Sequence, residues 1–498
     1  MKKKKLTQST VLVCLFQMLV LSHVFAKDRI SRPPKDSRPN ILFIVSEDNG
    51  MEIGCYGAPV STPVLDDLAK QGVRFANSYV PQAGCSPSRA AFLTGLYPHQ
   101  NGQVGLATWK YAMYNPRTPN IVNVLKKSGY RTGMVGKLHV NPVEAFDIDF
   151  HKVKEGNFKR QNMERYANFA ASFIRASDEP FYLQVNYPDA HDPFIRQVDG
   201  LPANPLNASD VAPLPYMGVM SNEFREKTAN YYNSIMRLDA LIGILLDSLK
   251  ASGKYDNTLI VYIGDHGADM LRGKRTSYEG GTRIPMIMVY PKNYHQGSVY
   301  QGLVSTIDLF PTFLAASGQT IPSYLPGVSL MDVMQGKEKP VRKYLFTEYN
   351  VHSNHNPYPQ RAVRNDRYKL IHNLVAGKTN PGYAYTNGLF QLTDQAIAEA
   401  SPEVRKAYKL MSDPPEFELY DLVKDPFEWN NLAADSRYKK VVDELRNVLT
   451  NWQKETQDPM LDKKIAERFF DEIMASKNKK IDISYHQYMD PKLIFKGF

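Results

Sequence analysis

The chain has 498 residues, 43% hydrophobic and 22% charged, which excludes an intrinsically disordered protein and supplies a sizeable core. Its 61 basic and 51 acidic residues give a net charge of +10, an excess that suits polyanionic partners. No recognised nucleic-acid module accompanies it, and three cysteines (Cys14, Cys55, Cys85) are too few for a disulfide-stapled scaffold.

Residues 1–26 read as a signal peptide, with a basic Lys2–Lys5 region, an apolar Val11–Leu21 stretch and a small-residue end at Val24-Phe25-Ala26. Removing its four lysines leaves 57 basic against 51 acidic residues, a net charge of +6. The apolar stretch is short for a membrane span and no later run matches it, so an exported protein without stable membrane insertion is expected. Export leaves periplasm and secretion both open; the lysine-rich leader and scarce cysteines favour a bacterial periplasm. Cys14 leaves with the leader, and Cys55 reads as a buried thiol. Residues 27–39, charged and proline-rich, read as a linker.

A catalytic α/β domain is expected over 40–340. Asn40–Val45 is an apolar run of strand length, buried on both faces as in a parallel sheet. It leads into Ser46-Glu47-Asp48-Asn49-Gly50, and acidic residues at the carboxyl end of such a strand mark a ligand-binding edge. Pro63–Gln71 reads as a helix and Val73–Tyr79 as a strand. Asn120–Lys127 and Asn162–Ala176 read as further helices. Strands are expected at Arg131–Val135, before Lys137 and His139, and at Phe181–Tyr187, before His191. Residues 197–220 read as a surface excursion. A long helix covers Ser221–Ala251, its stripe Tyr231, Ile235, Leu238, Ile242, Leu245 and Leu249 facing the core. Thr258–Ile263 is a strand ending at Asp265-His266, and Ile307–Ser317 a helix. This alternation implies a mostly parallel sheet with helices on both faces. From residue 341 to 498 a smaller α+β domain is expected. It has a hairpin about Asn365-Asp366, a strand at Glu418–Leu422 and a helix at Tyr438–Gln453.

Four strands thus end in Glu47-Asp48, Lys137/His139, His191 and Asp265-His266, all at one edge of the sheet. Clustered buried carboxylates repel unless a cation neutralises them, so Glu47, Asp48 and Asp265 predict a hard ion, Ca²⁺ or Mg²⁺. Cys85 enters the same edge from a loop. Pro87 suits a first helical turn, which sets Cys85 near the positive end of a helix with Arg89 one turn on. That arrangement favours an anion.

Cys85-Ser86-Pro87-Ser88-Arg89-Ala90-Ala91-Phe92-Leu93-Thr94-Gly95 resembles the signature of type I sulfatases. The resemblance implies an alkaline-phosphatase-like α/β sandwich and a maturation enzyme that oxidises Cys85 to formylglycine. It also implies one Ca²⁺ held by Glu47, Asp48, the modified Cys85, Asp265 and His266, with Glu47 in place of the usual aspartate. Arg89, Lys137, His139, His191 and Lys274 match the residues that surround the sulfate; Lys274 lies in Gly273–Arg283, which resembles the second long motif. In the implied chemistry the hydrated aldehyde attacks sulfur, His191 with Lys274 protonates the leaving atom, and His139 takes a proton to release sulfate.

The stretches Leu93–Gly102, Gly136–Val140, Arg361–Val363 with Leu370–Leu374, Glu418–Asp421 and Trp452–Pro459 are similar to the N-sulfoglucosamine sulfohydrolase (sulfamidase) branch. That implies a sulfated glycosaminoglycan oligosaccharide or monosaccharide as substrate and its glucosamine N-sulfate as the scissile group. His352, His355 and Arg361 are candidates to meet the sugar at the rim. An O-sulfatase on glucosamine or another glycan, a phosphonate or phosphodiester hydrolase, and an inactive glycan-binding relative are the alternatives.

Overall fold

A computed structural model describes residues 38–291, 296–390 and 394–477. The expected signal peptide, linker residues 27–37 and the last part of the expected C-terminal domain, 478–498, lie outside the described residues. No helix among those described is long and apolar enough to cross a membrane.

The first sheet is built from β1 (Asn40–Ser46), β2 (Val73–Tyr79), β3 (Arg131–Val135), β4 (Phe150–Lys152), β5 (Phe181–Tyr187), β6 (Thr258–Gly264), β7 (Arg283–Val289) and β8 (Ser298–Ser305). Their order is β4-β3-β5-β1-β6-β7-β2-β8. All neighbours run parallel except β7, which opposes both β6 and β2. Strand β1 lies between β5 and β6 and is buried along its whole length. Its alternate residues serve two cores, as a strand period of two requires. Leu42 and Ile44 pack with the long helix Asn222–Ala251, while Ile41, Phe43 and Val45 pack with Phe92, Phe310 and Phe313 on the opposite face. Each such fully buried side chain contributes roughly 1.5–3 kcal/mol of transfer free energy.

Local signals set the element ends. Asn120 caps the helix Ile121–Lys127 by accepting from the Asn123 amide, and Ser221 caps the long helix by accepting from Phe224. The expected helix over Asn162–Ala176 is shorter, Arg165–Arg175, and Ile307–Ser317 divides into a 3₁₀ turn and the helix Leu309–Ala316.

The second sheet holds β9 (Leu345–Tyr349), β10 (Gln360–Arg364), β11 (Tyr368–Asn373) and β12 (Phe417–Asp421), antiparallel in the order β12-β11-β10-β9. The hairpin joining β10 and β11 turns at Asn365, whose side chain accepts from the amides of Arg367 and Tyr368. The helix Lys439–Glu455 packs on this sheet through Leu445, Leu449 and Trp452.

Candidate active site

The carboxyl ends of β1, β3, β5 and β6 converge, because parallel neighbours finish on one edge. Gly264 lets β6 end against β1: a Cβ there would stand 1.9 Å from the Asn49 carbonyl oxygen. The helix Cys85–Thr94 enters at the same edge after an extended Gly84, with all ten of its residues buried. Ser88 fixes it by donating to the Asp265 carbonyl at 2.5 Å.

Asp48, Cys85, Asp265 and His266 each offer a donor atom within 4.8 Å of the others, and all four residues are buried. His266 Nε2 lies 3.3 Å from Cys85 Sγ, 3.4 Å from Asp48 Oδ1 and 3.6 Å from Asp265 Oδ1. The Asp48 amide donates to Asp265 Oδ1 at 2.9 Å. The donor set therefore suits a cation: two carboxylates, an imidazole and a sulfur aimed at one point. Glu47 stands outside this four-residue group. Its oxygens are taken by Lys137 Nζ at 3.0 Å and Arg89 Nη2 at 3.4 Å. Glu47 is thus ion-paired beside the group, as Asp48 is to Lys274 and Asp265 to Arg89.

Three buried cations surround the group. Arg89 donates to Asp265 Oδ2 through Nε and Nη2 at 3.2 and 3.1 Å, and through Nη1 to Asn186 and the Lys137 carbonyl. Lys274 Nζ spans both Asp48 oxygens at 3.1 and 2.9 Å. Burial raises the Cys85 thiol, but Lys274, Lys137 and His266 outweigh it and hold the group well below its usual range. Burial and the Lys137 charge lower His139. Burial also opposes the His191 cation, yet Asp48 prevails and raises it. His266 is pushed up to about 9, with Asp265 and Asp48 exceeding the cost of burial.

His139, His191 and His352 reach this end of the site from three different segments, near enough that a Cys85 thiolate favours the cation of each. His191 Nδ1 contacts the Asp192 carbonyl at 2.5 Å, an arrangement that puts the proton on Nδ1 and leaves Nε2 to the site. His352 is buried beside Gly84, and burial lowers it to about 3. Neither ring nitrogen of His139 or His352 has a hydrogen-bond partner among the described residues. His355 is farther out, edge-on to Trp109 and stacked on Tyr385. Arg361 is not at the rim. Its fully buried guanidinium pairs with Asp458 at 2.6 Å and with Asn350, because β10 turns that side chain towards the C-terminal segments.

Sequence reasoning passed over Asn186 and Asp269. Asn186 sits near the end of β5, where its polar side chain breaks an apolar strand, and that break is a legible signal. Asp269 lies 3.5 Å from Lys274 Nζ and pairs with Arg275, between Asp265-His266 and the Gly273–Arg283 stretch.

Residues 39–319 match the sulfatase family, and residues 264–381 match the C-terminal region of N-sulphoglucosamine sulphohydrolases. The chain belongs to the sulfatase family. It is 30% identical to human N-sulphoglucosamine sulphohydrolase over 462 residues, covering 85% of this chain and 91% of that protein. It is also 30% identical to an ulvan-active sulfatase of Formosa agariphila, over 84% and 81% of the two chains. A solved structure of BT4656, in complex with its substrate D-glucosamine-2-N,6-O-disulfate, superposes with a TM-score of 0.64. Identity there is 23% over 84% of this chain and 98% of that one, a likeness of fold. The large sheet flanked by helices and the small antiparallel sheet are the alkaline-phosphatase-like architecture of sulfatases. This sulfatase is accordingly a hydrolase, of a family that acts on sulfate esters and sulfamates and generally uses formylglycine and a metal ion. The buried four-residue group is compatible with such a centre.

Proposed function

We propose that this sulfatase hydrolyses the N-sulfate of glucosamine in heparin- or heparan-sulfate-type glycans. The observation that carries the reading is the match of residues 264–381 to the C-terminal region of N-sulphoglucosamine sulphohydrolases, beyond the motifs that every sulfatase needs. We assign the metal to Asp48, Asp265, His266 and position 85, and the ion to Ca²⁺, which oxygen donors favour. Oxidation of Cys85 to formylglycine by a maturation enzyme would replace its soft sulfur by oxygen. The aldehyde so formed supplies a nucleophile that releases its own sulfate, and the ion supplies charge for it.

The chain's own residues do the rest. Arg89, Lys137 and Lys274 hold the sulfuryl oxygens and offset their charge in a largely buried site. His191, raised by Asp48, carries the proton for the leaving nitrogen. His139, kept neutral by burial and Lys137, accepts a proton at position 85. The segment from residue 341 onward brings His352 beside Gly84, next to position 85, as a neutral, buried wall for the sugar. His355, with Trp109 and Tyr385, forms an outer aromatic cluster. We place the protein in the periplasm, on the basic and apolar leader of residues 1–26.

Release of sulfate from glucosamine N-sulfate, 3-O-sulfate and 6-O-sulfate tests the reading. N-sulfate is expected to be cut fastest; release from 6-O-sulfate with N-sulfate untouched overturns it. The second reading, an O-sulfatase on a polysaccharide, is favoured by equal identity to the ulvan-active enzyme.

A further inference from the structure

We infer that Phe158 is the wall on which the sulfate-bearing pyranose stacks, a specificity-determining side chain at the mouth of the site. The residue is 40% exposed, although it stands beside buried charges. The ring centroid lies 4.5 Å from that of His191, and Lys137 Nζ lies 5.2 Å from it. Phe158 therefore borders both the group that holds sulfate and the group that protonates the leaving atom. A ligand whose sulfuryl group reaches Lys137 Nζ comes within reach of this ring.

The loop is shaped to hold that ring. A Cβ on Gly156 would stand 2.6 Å from the Phe158 ring, so only glycine leaves the ring its place. Val153, Asn157, Arg160 and Asn162 adopt positive φ, a conformation that costs energy and concentrates at functional segments. Arg160 is fully buried. It donates from Nη1 to the Phe158 carbonyl at 2.5 Å, from Nε to Asp189 at 2.9 Å, and from Nη2 to the His191 carbonyl. One arginine thus ties the carbonyl of Phe158 to that of His191. The exposed face of an aromatic ring at a polar mouth suits the apolar C–H face of a pyranose.

The inference rests on the sulfatase reading of the site and holds for N- and O-sulfates alike. Calorimetric binding to the full-length Cys85→Ala protein, which cannot turn over, tests it with glucosamine N-sulfate, glucosamine 6-sulfate and inorganic sulfate. Adding Phe158→Ala is expected to weaken the sugar sulfate about tenfold and inorganic sulfate less than about twofold. Phe158→Trp is expected to keep the sugar's affinity. Equal weakening of sugar sulfate and inorganic sulfate, or unchanged sugar affinity, overturns the stacking wall. So does a parent protein that binds neither sugar more tightly than sulfate. If Phe158→Ala loses its thermal transition, Phe158→Leu is judged by the same criteria. Binding of the 6-sulfate but not the N-sulfate overturns the N-sulfate reading, and Phe158 is then judged with the 6-sulfate.

Discussion

Arg89 and Arg361 are both fully buried, and each is paired with an aspartate, yet the two pairs are finished differently. Asp458 receives Arg361 on both oxygens, and Gln453 and the Met460 amide supply further donors. Its acceptor capacity is used up, and nothing else could bind there. Asp265 gives Oδ2 to Arg89, but its Oδ1, with Asp48 Oδ1, faces His266 and the Cys85 sulfur. The histidines nearby keep unpartnered nitrogens. A buried ion pair with spent lone pairs holds the chain together; one with lone pairs aimed at a common point is a site. Closed pairs are expected to register in stability, open ones in catalysis.

The largest expected effect lies at the open pair. Cys85→Ala is expected to lower sulfate release by at least about a thousandfold, as loss of a covalent catalyst does, with the melting temperature little changed. Full activity in the variant would break the comparison. His191→Asn is expected to lower kcat by about a hundredfold to ten-thousandfold on a sulfamate. It should cost less on an aryl sulfate, whose leaving group needs no proton; an equal loss on both would remove His191 from that role.

At the closed pair the expectation reverses. Asp458→Ala leaves the Arg361 cation buried without its carboxylate, at a cost of about 3–5 kcal/mol in unfolding free energy. Denaturant melts should record that loss, and kcat/KM below the transition should stay within a few fold. A fall in kcat/KM without loss of stability would contradict the assignment.

The smallest effect concerns pH. Burial, then the charges of Arg446 and Arg361, lower His372 to about 4 from its usual 6.5. A histidine depressed in the folded state gives stability that is full above pH 6.5 and is lost as pH falls towards 4. The melting temperature is expected to decline over that window, and His372→Gln to flatten the decline. An unchanged slope would show that His372 takes no part.

What could be read from the sequence follows the same division. Strands β1 and β6 are legible as continuous apolar runs, and β3 and β5 as shorter β-rich stretches, each with charged residues or histidine within a few positions of its end, and those residues are the site. Strand β7 escapes because Arg283–Val289 follows the Gly-rich motif without a turn signal, and it opposes its neighbours. Strand β8 (Ser298–Ser305) is an edge with exposed Val299 and little alternation, and β4 is three residues long. The pairing of Arg361 is not legible because a basic residue in a strand does not disclose its partner: Asp458 lies 97 residues away and only the fold joins them. Phe158 left no trace in the pattern, since one aromatic in a polar loop is ordinary. Its meaning comes from the rings and charges placed beside it.

The most direct test of the open pair is the calcium content of the purified protein beside that of Asp48→Asn and Asp458→Asn. One ion per chain is predicted for the parent and for Asp458→Asn, with little retained by Asp48→Asn. A parent protein that holds no divalent ion after equilibration with calcium, or an Asp48→Asn protein that holds it as tightly, would contradict the account.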